Sequence, residues 1–129
     1  MGLFNKLFNT SSESKDQIVL PWIPLTSLDQ LNDLNEKSVA KTQIIFKHST
    51  RCGISRMVLK QFEKDYGFSE NNVDLYYLDL IGYRDVSNAI ASKFDVYHES
   101  PQLLVVKNGI VVAHASHGAI NDLDLNRFI

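Results

Sequence analysis

The sequence predicts one α/β domain: a four-stranded mixed sheet, helices on both faces, and a C-terminal β-hairpin. Three observations carry this reading. Apolar runs of strand length alternate with segments whose apolar residues recur every three or four positions, the two periods of strand and helix. A run at 42–47 leads into a helix and then into a second run at 73–80. Such a strand–helix–strand unit closes as a parallel, right-handed crossover. Two further apolar runs flank Asn108-Gly109, a pair that tolerates the positive φ angles of a type I′ hairpin turn.

The elements follow in chain order. Residues 9–17, "NTSSESKDQ", are polar and aperiodic, so 1–17 reads as a mobile tail and 18–129 as the domain. Within that tail Met1, Leu3, Phe4, Leu7 and Phe8 suit at most one amphipathic turn. "SLDQLNDLN" (27–35) puts Leu28, Leu31 and Leu34 on one helical stripe, with Ser27 and Gln30 spaced as a capping box. "TQIIFK" (42–47) is a β-branched and aromatic run, hence a buried strand. A helix over about 52–66 has Ile54, Val58 and Phe62 recurring every four positions, with Leu59 and Tyr66 beside them. Gly67 stands where a left-handed C-terminal cap is wanted. "VDLYYLDL" (73–80) is the next strand, and Val86, Ala89, Ile90 and Phe94 mark a helix over 84–94. The hairpin occupies "QLLVVKNGIVVAHA" (102–115). A last helix spans about 120–128 with Leu123 and Phe128 facing inward. Four strands between two helical layers, with Pro101 just ahead of the hairpin, form a thioredoxin-like arrangement.

Composition narrows the function. At 129 residues, 44% of them hydrophobic, the chain has material for one sizeable core. A formal charge of -2 gives no pull toward nucleic acid or anionic membranes. "MGLFNKLF" has too short an apolar stretch for a signal peptide, and Lys6 breaks the myristoylation pattern. No run of about 18 apolar residues occurs, so no spanning helix is expected. A cytoplasmic location follows as an expectation.

The single cysteine stands at a telling place. "KHSTRCGISRM" (47–57) sets Cys52 between a strand and a helix, where unpaired N–H groups and the positive end of the helix dipole favour a thiolate. Lys47, His48 and Arg51 lie within five residues upstream, and any cation among them acts in the same sense. The competing reading is a small buried hydrophobe, as most free cysteines are. Ser55 occupies the second position of a C-x-x-C pair, from which its hydroxyl has the reach to hydrogen-bond the sulfur. With one thiol the chain closes no internal disulfide. An external thiol must therefore resolve any mixed disulfide on Cys52, which restricts the chemistry to one-thiol exchange.

"HESPQ" (98–102) reads two ways. Pro101 either ends a helix-to-strand connection in trans, as most X–Pro bonds do, or follows a cis bond. In the cis form the backbone N–H and C=O of Ser100 face the thiolate and an incoming peptide-like substrate. His48, His98, His114 and His117 lack helical ligand spacing, and one thiolate is too few for a closed zinc site, so no metal is expected. His117 falls just after the last strand, close to the cysteine loop.

Together "KHSTRCGIS" (47–55), "HESPQ" (98–102) and "ASH" (115–117) resemble three motifs of the monothiol bacilliredoxins, the YtxJ-like thioredoxin-fold proteins. The likeness runs from about Trp22 to Phe128. It implies thiol–disulfide exchange on S-thiolated proteins under oxidative stress, with bacillithiol as co-substrate and no tightly bound cofactor. Carried over, Cys52 is the attacking thiol, Ser55 fills the second position, Pro101 is the cis-proline and Ser100 its backbone partner. His48, Thr50, Arg51, Gly53 and His117 are placed around the small thiol by proximity. One departure stands out: the family usually carries proline after the cysteine, where Gly53 restores an amide donor and loosens the turn.

Gly53 also creates a rival, because C-G-I-S differs by one apolar residue from the C-G-F-S of monothiol glutaredoxins that share an iron–sulfur cluster. Against it, Ser116-His117-Gly118-Ala119 stands where those proteins have paired glycines. A third reading is a thioredoxin-like binding module with an inert cysteine, since fold alone does not establish function.

Overall fold

The computed structural model describes residues 19–129, so the tail expected over 1–17 lies outside the described residues. The elements run β1 (Trp22–Pro24), α1 (Leu28–Lys37), β2 (Thr42–His48), α2 (Gly53–Asp65), β3 (Val73–Asp79), α3 (Arg84–Phe94), β4 (Gln102–Lys107) and β5 (Ile110–Ser116). Two 3₁₀ segments, His117–Asp122 and Leu125–Phe128, complete the order.

Every residue of β2 is buried, and its alternation builds both cores at once. Ile44 and Phe46 face Val58 and Phe62 of α2, with Leu103 and Val105 of β4 beside them. Ile45 faces the other way, onto Leu31 and Leu34 of α1 and Val86, Ile90 and Phe94 of α3. Each such buried side chain contributes about 1.5–3 kcal/mol, which is why a strand with a two-residue period is held in one register.

The sheet has five strands in the order β1-β3-β2-β4-β5, one more than the sequence suggested. The addition is β1, parallel to β3 with Trp22 opposite Leu75 and Pro24 opposite Tyr77. Three residues ending in proline display no readable period, and an edge is where a strand tolerates proline. β2 and β3 are parallel from Thr42↔Val73 to His48↔Asp79, as the crossover requires. β4 runs antiparallel to β2, and β5 antiparallel to β4. The hairpin turns at Asn108 (φ 53°) and Gly109 (φ 78°), both left-handed as the Asn-Gly pair predicts. Ser38 docks this turn onto the end of α1: its carbonyl accepts from Asn108 N and its hydroxyl from Gly109 N.

Other differences are local. Ser27 Oγ accepts from Gln30 N at 3.2 Å, but the return bond of the capping box shifts one residue, Gln30 Oε1 accepting from Thr26 N at 2.7 Å. Leu28 is half exposed, leaving Leu31 and Leu34 to anchor α1. On α2 the inward stripe is Ser55, Val58 and Phe62, while Ile54 is 61% exposed. The expected left-handed Gly67 does not occur; α2 ends at Tyr66 in extended backbone (φ -74°, ψ 126°). The left-handed cap falls instead at Asp95 (φ 55°), after α3. The expected C-terminal helix is split into the two 3₁₀ segments. Ile120 of the first is buried, and Leu123 between the two and Phe128 of the second pack on the α2 core.

Candidate thiol site

Cys52 is the N-cap of α2, with extended backbone (φ -103°, ψ 121°). Its carbonyl accepts the first helical bond from Arg56 N at 3.1 Å, and its own N–H donates to Ser49 O at 3.2 Å. The side chain makes no capping hydrogen bond, so the sulfur is left at the positive end of a 13-residue helix whose first turn holds no acidic residue. The thiol is free and of intermediate exposure, neither sealed in the core nor fully in solvent. Cys52 is therefore not sealed in the core as a buried hydrophobe would be.

Around it Thr50, Arg51 and Gly53 are exposed. Arg56, which the sequence reading passed over, folds back so that Nη1 donates to Thr50 O at 3.0 Å. Ile54 and Met57 are 61% and 72% exposed, two and five residues along the chain from the cysteine.

Ser55 is wholly buried and its hydroxyl is engaged, though not with sulfur. Oγ lies 2.7 Å from His48 Nδ1 and accepts from Ser49 N at 3.2 Å. The residue in the second-thiol position thus ties the helix to the loop in front of it. His48 is buried beside the rings of Phe46 and Tyr77, at 6.5 and 5.5 Å. Burial pushes its pKa down from the ordinary imidazole value and Arg56 adds to this, while Asp79 and Glu63 oppose. A neutral ring satisfies the contact in either tautomer, accepting from Ser55 or donating to it.

Sequence position suggested that Lys47 and His48 bear on the sulfur as cations. The pleat separates them. Successive side chains in a strand point to opposite faces, so His48 meets Ser55 of α2 while Lys47 crosses to α3, where Nζ lies 3.5 Å from Ser87 O. Arg51 and Arg56 are left as the cations of the cysteine loop.

The Ser100–Pro101 peptide bond is cis. β4 begins at the next residue, with Lys47 opposite Gln102; continued by one step, this antiparallel register sets His48 level with Pro101. The loop of Pro101 and the loop of Cys52 therefore emerge from neighbouring strands at the same end of the sheet. Pro101 is buried, and its carbonyl accepts from His117 N at 3.0 Å. His117 (φ 55°) reaches the site by its backbone, its side chain being exposed. Ser100 is of intermediate exposure, with Oγ buried and unpaired. Among the described residues no three His, Cys, Asp or Glu side chains are grouped as metal ligands, and no helix is long and apolar enough to cross a membrane.

Residues that the sequence reading missed are Arg56, Ser49, Ser87 and Gln102. The two-residue period of β2 signals that 47 and 48 take opposite faces, but it marks none of these four residues.

Comparison with known proteins agrees with this geometry. The family described as "Monothiol bacilliredoxin BrxC" matches residues 23–125. A solved structure described as a thioredoxin-fold protein of suggested oxidoreductase activity is 39% identical, with a TM-score of 0.69, over 82% of this chain and 91% of that one. Thioredoxin of Schistosoma mansoni superposes with a TM-score of 0.63 at 18% identity, over 84% of this chain and 95% of that one. Thioredoxin of Malassezia sympodialis does so at 0.59 and 20%, over 73% and 76%. At those identities the two thioredoxins speak to fold alone.

Proposed function

We propose that this chain, which belongs to the monothiol bacilliredoxin family and so has a thiol redox role, removes bacillithiol from S-thiolated proteins through a mixed disulfide on Cys52. The observation that carries the reading is a partly exposed cysteine at a helix N-cap, uncapped by its own side chain, with a buried serine in the second-thiol position.

The exchange balances without a bound cofactor. The Cys52 thiolate attacks the bacillithiol sulfur of a protein–S–S–bacillithiol disulfide. That S–S bond breaks, the substrate leaves as a thiolate that takes a proton from water, and Cys52–S–S–bacillithiol remains. A second small thiol, as thiolate, then attacks the bacillithiol sulfur, freeing Cys52 and leaving as the small disulfide. Attack needs a reachable sulfur, and Cys52 stands partly exposed at the start of α2. The Ser100 backbone beside Pro101 offers a strand-like edge on which a substrate segment lies across the site. Arg51, Thr50 and Gly53 border the small thiol, with His48 behind them and His117 closing the side next to Pro101. The matched family is the reason for preferring thiol exchange to cluster carriage.

Intact mass spectrometry tests this directly. A bacillithiolated protein mixed with the reduced chain should lose its adduct while Cys52 gains one, reversibly with free thiol, and Cys52→Ala should remove nothing. A wild-type chain that leaves the substrate adduct untouched at neutral pH overturns the reading. An iron- and sulfide-dependent brown dimer formed with glutathione would replace it by the cluster carrier.

A further inference from the structure

Lys47 is fully buried, yet no carboxylate partners it: the ion pair among the described residues is Lys41–Asp74. Its Nζ lies 3.4 Å from His98 Nδ1 and 3.5 Å from Ser87 O, and Ser87 Oγ lies 3.1 Å from the same His98 Nδ1. Isolated buried charges are costly, and an apolar side chain of similar volume would avoid that cost. Two neutral partners, Ser87 O on α3 and His98 Nδ1 on the connection to β4, are what the amine has in place of a counter-ion.

One of them, His98, lies on the segment that precedes the cis-proline. Gln102, the register partner of Lys47, is buried and reaches back along the same segment. Its Nε2 donates to Tyr97 O at 2.9 Å, and its Oε1 accepts from Glu99 N at 3.4 Å. Residues 97, 98 and 99 are thus each held from the adjacent pair Lys47 and Gln102. Apolar burial does little there, since Tyr97 is 93% exposed. Ser100 has no side-chain hydrogen bond of its own, so its backbone follows from how its neighbours are held.

We propose that Lys47, acting through His98, is a positioning residue that fixes the Ser100–Pro101 side of the thiol site for a protein substrate, an inference that rests on the functional reading above. The protonation states suit the contact. Burial lowers Lys47 to about 8, which leaves the amine mostly charged and donating at neutral pH. His98 is pushed down by burial, and further by Lys47 and Arg84 against Glu99, which keeps it a neutral acceptor. The two ends of the β2 strand terminus then divide the work: His48 holds the cysteine loop and Lys47 the proline loop.

The test compares full-length wild type with Lys47→Met, which keeps the apolar stem, and with His98→Leu and His98→Asn. Asparagine keeps a polar atom near the place of Nδ1. For a bacillithiolated protein, Lys47→Met and His98→Leu should raise KM about tenfold, the worth of one charge-assisted hydrogen bond, with kcat little changed. His98→Asn should restore most of the loss. Reaction of Cys52 with a small aromatic disulfide, which needs no strand-like edge, should keep its wild-type rate. Amide exchange at residues 98–100 should accelerate in both impaired variants. Unchanged KM in folded variants, or an equal loss with the small disulfide, overturns the proposal. Should Lys47→Met fail to fold, the two His98 variants carry the comparison. Should wild type form no mixed disulfide, the functional reading falls separately, and amide exchange decides: acceleration supports the positioning role, wild-type exchange refutes it.

Discussion

His48 Nδ1 and Ser55 Oγ stand 2.7 Å apart, joining the last residue of β2 to the third residue of α2 across the cysteine between them. Ser49 N–H donates to the same oxygen at 3.2 Å, so a single hydroxyl fixes the strand, the loop and the helix start. Ser55→Ala should leave the part-buried Ser49 amide and the buried His48 ring nitrogen without this partner, at a cost of about 1–3 kcal/mol. Urea denaturation reads this as a lower midpoint. The Cys52 adduct should still form, because the sulfur itself is untouched.

Restoring a thiol at that position should change the fate of the adduct. Cys52 is the N-cap and Ser55 the third helical residue, the two positions whose groups meet in a capping box. In Ser55→Cys the new thiol should expel the small thiol from Cys52 and close an internal disulfide. Mass spectrometry should find the wild-type adduct persisting, and the variant without adduct and two hydrogens lighter than its reduced form. A persistent adduct on the variant would contradict this.

Gly53 is the first residue of α2, where proline is favoured because its missing N–H has no helical partner. Cys52 already has the extended backbone that a residue before proline adopts. A Cβ at Gly53 would meet only Arg56 Nη2, at 3.8 Å. Gly53→Pro should therefore raise stability by about 0.4–1 kcal/mol, by restricting the unfolded chain. A higher Tm in calorimetry checks it.

Lys47 gives stability a pH dependence of definite sign. Its folded pKa of about 8 lies below the ordinary 10.5, so between those values the unfolded chain binds more protons. The burial penalty is fully present below pH 8 and is relieved as pH rises. Wild type should gain up to about 1.4 kcal/mol per pH unit relative to Lys47→Met from pH 8 to 10. Above pH 10, Tyr66 and Tyr76, both pushed up to about 12 by burial, act in the opposite sense. Denaturation midpoints of the two proteins across pH 7–10 should converge as pH rises.

Gly109 takes φ 78° in the hairpin turn, and a Cβ there would stand 3.6 Å from Asn35 Oδ1. Gly109→Ala should cost about 1–2 kcal/mol through left-handed backbone strain, seen as a lower Tm, while the rate of adduct formation on Cys52 stays near wild type.

Much of the fold was legible because its signals are local. The Asn-Gly pair fixes a two-residue turn by backbone sterics, and the helix at 84–94 follows from its apolar period. The β-branched run at 42–47 is a strand by composition. What escaped had no local signal. β1 is too short to show a period and is held by Trp22, whose ring packs on Phe46 and whose Nε1 donates to Glu63 at 2.8 Å. The exposure of Ile54, one position from the buried Ser55, depends on how α2 is rotated against the sheet, and a four-residue spacing leaves that rotation open.

By itself the sequence determined a strand–cysteine–helix junction with one thiol, because strand composition, helical period and residue count need no partner to be read. Tertiary structure alone decided which way the neighbouring polar groups turn. Lys47 and His48 are adjacent in the chain, yet the pleat sends one to α3 and the other to α2. Which of the two meets the cysteine loop follows from the face that each helix covers, and long-range packing sets that.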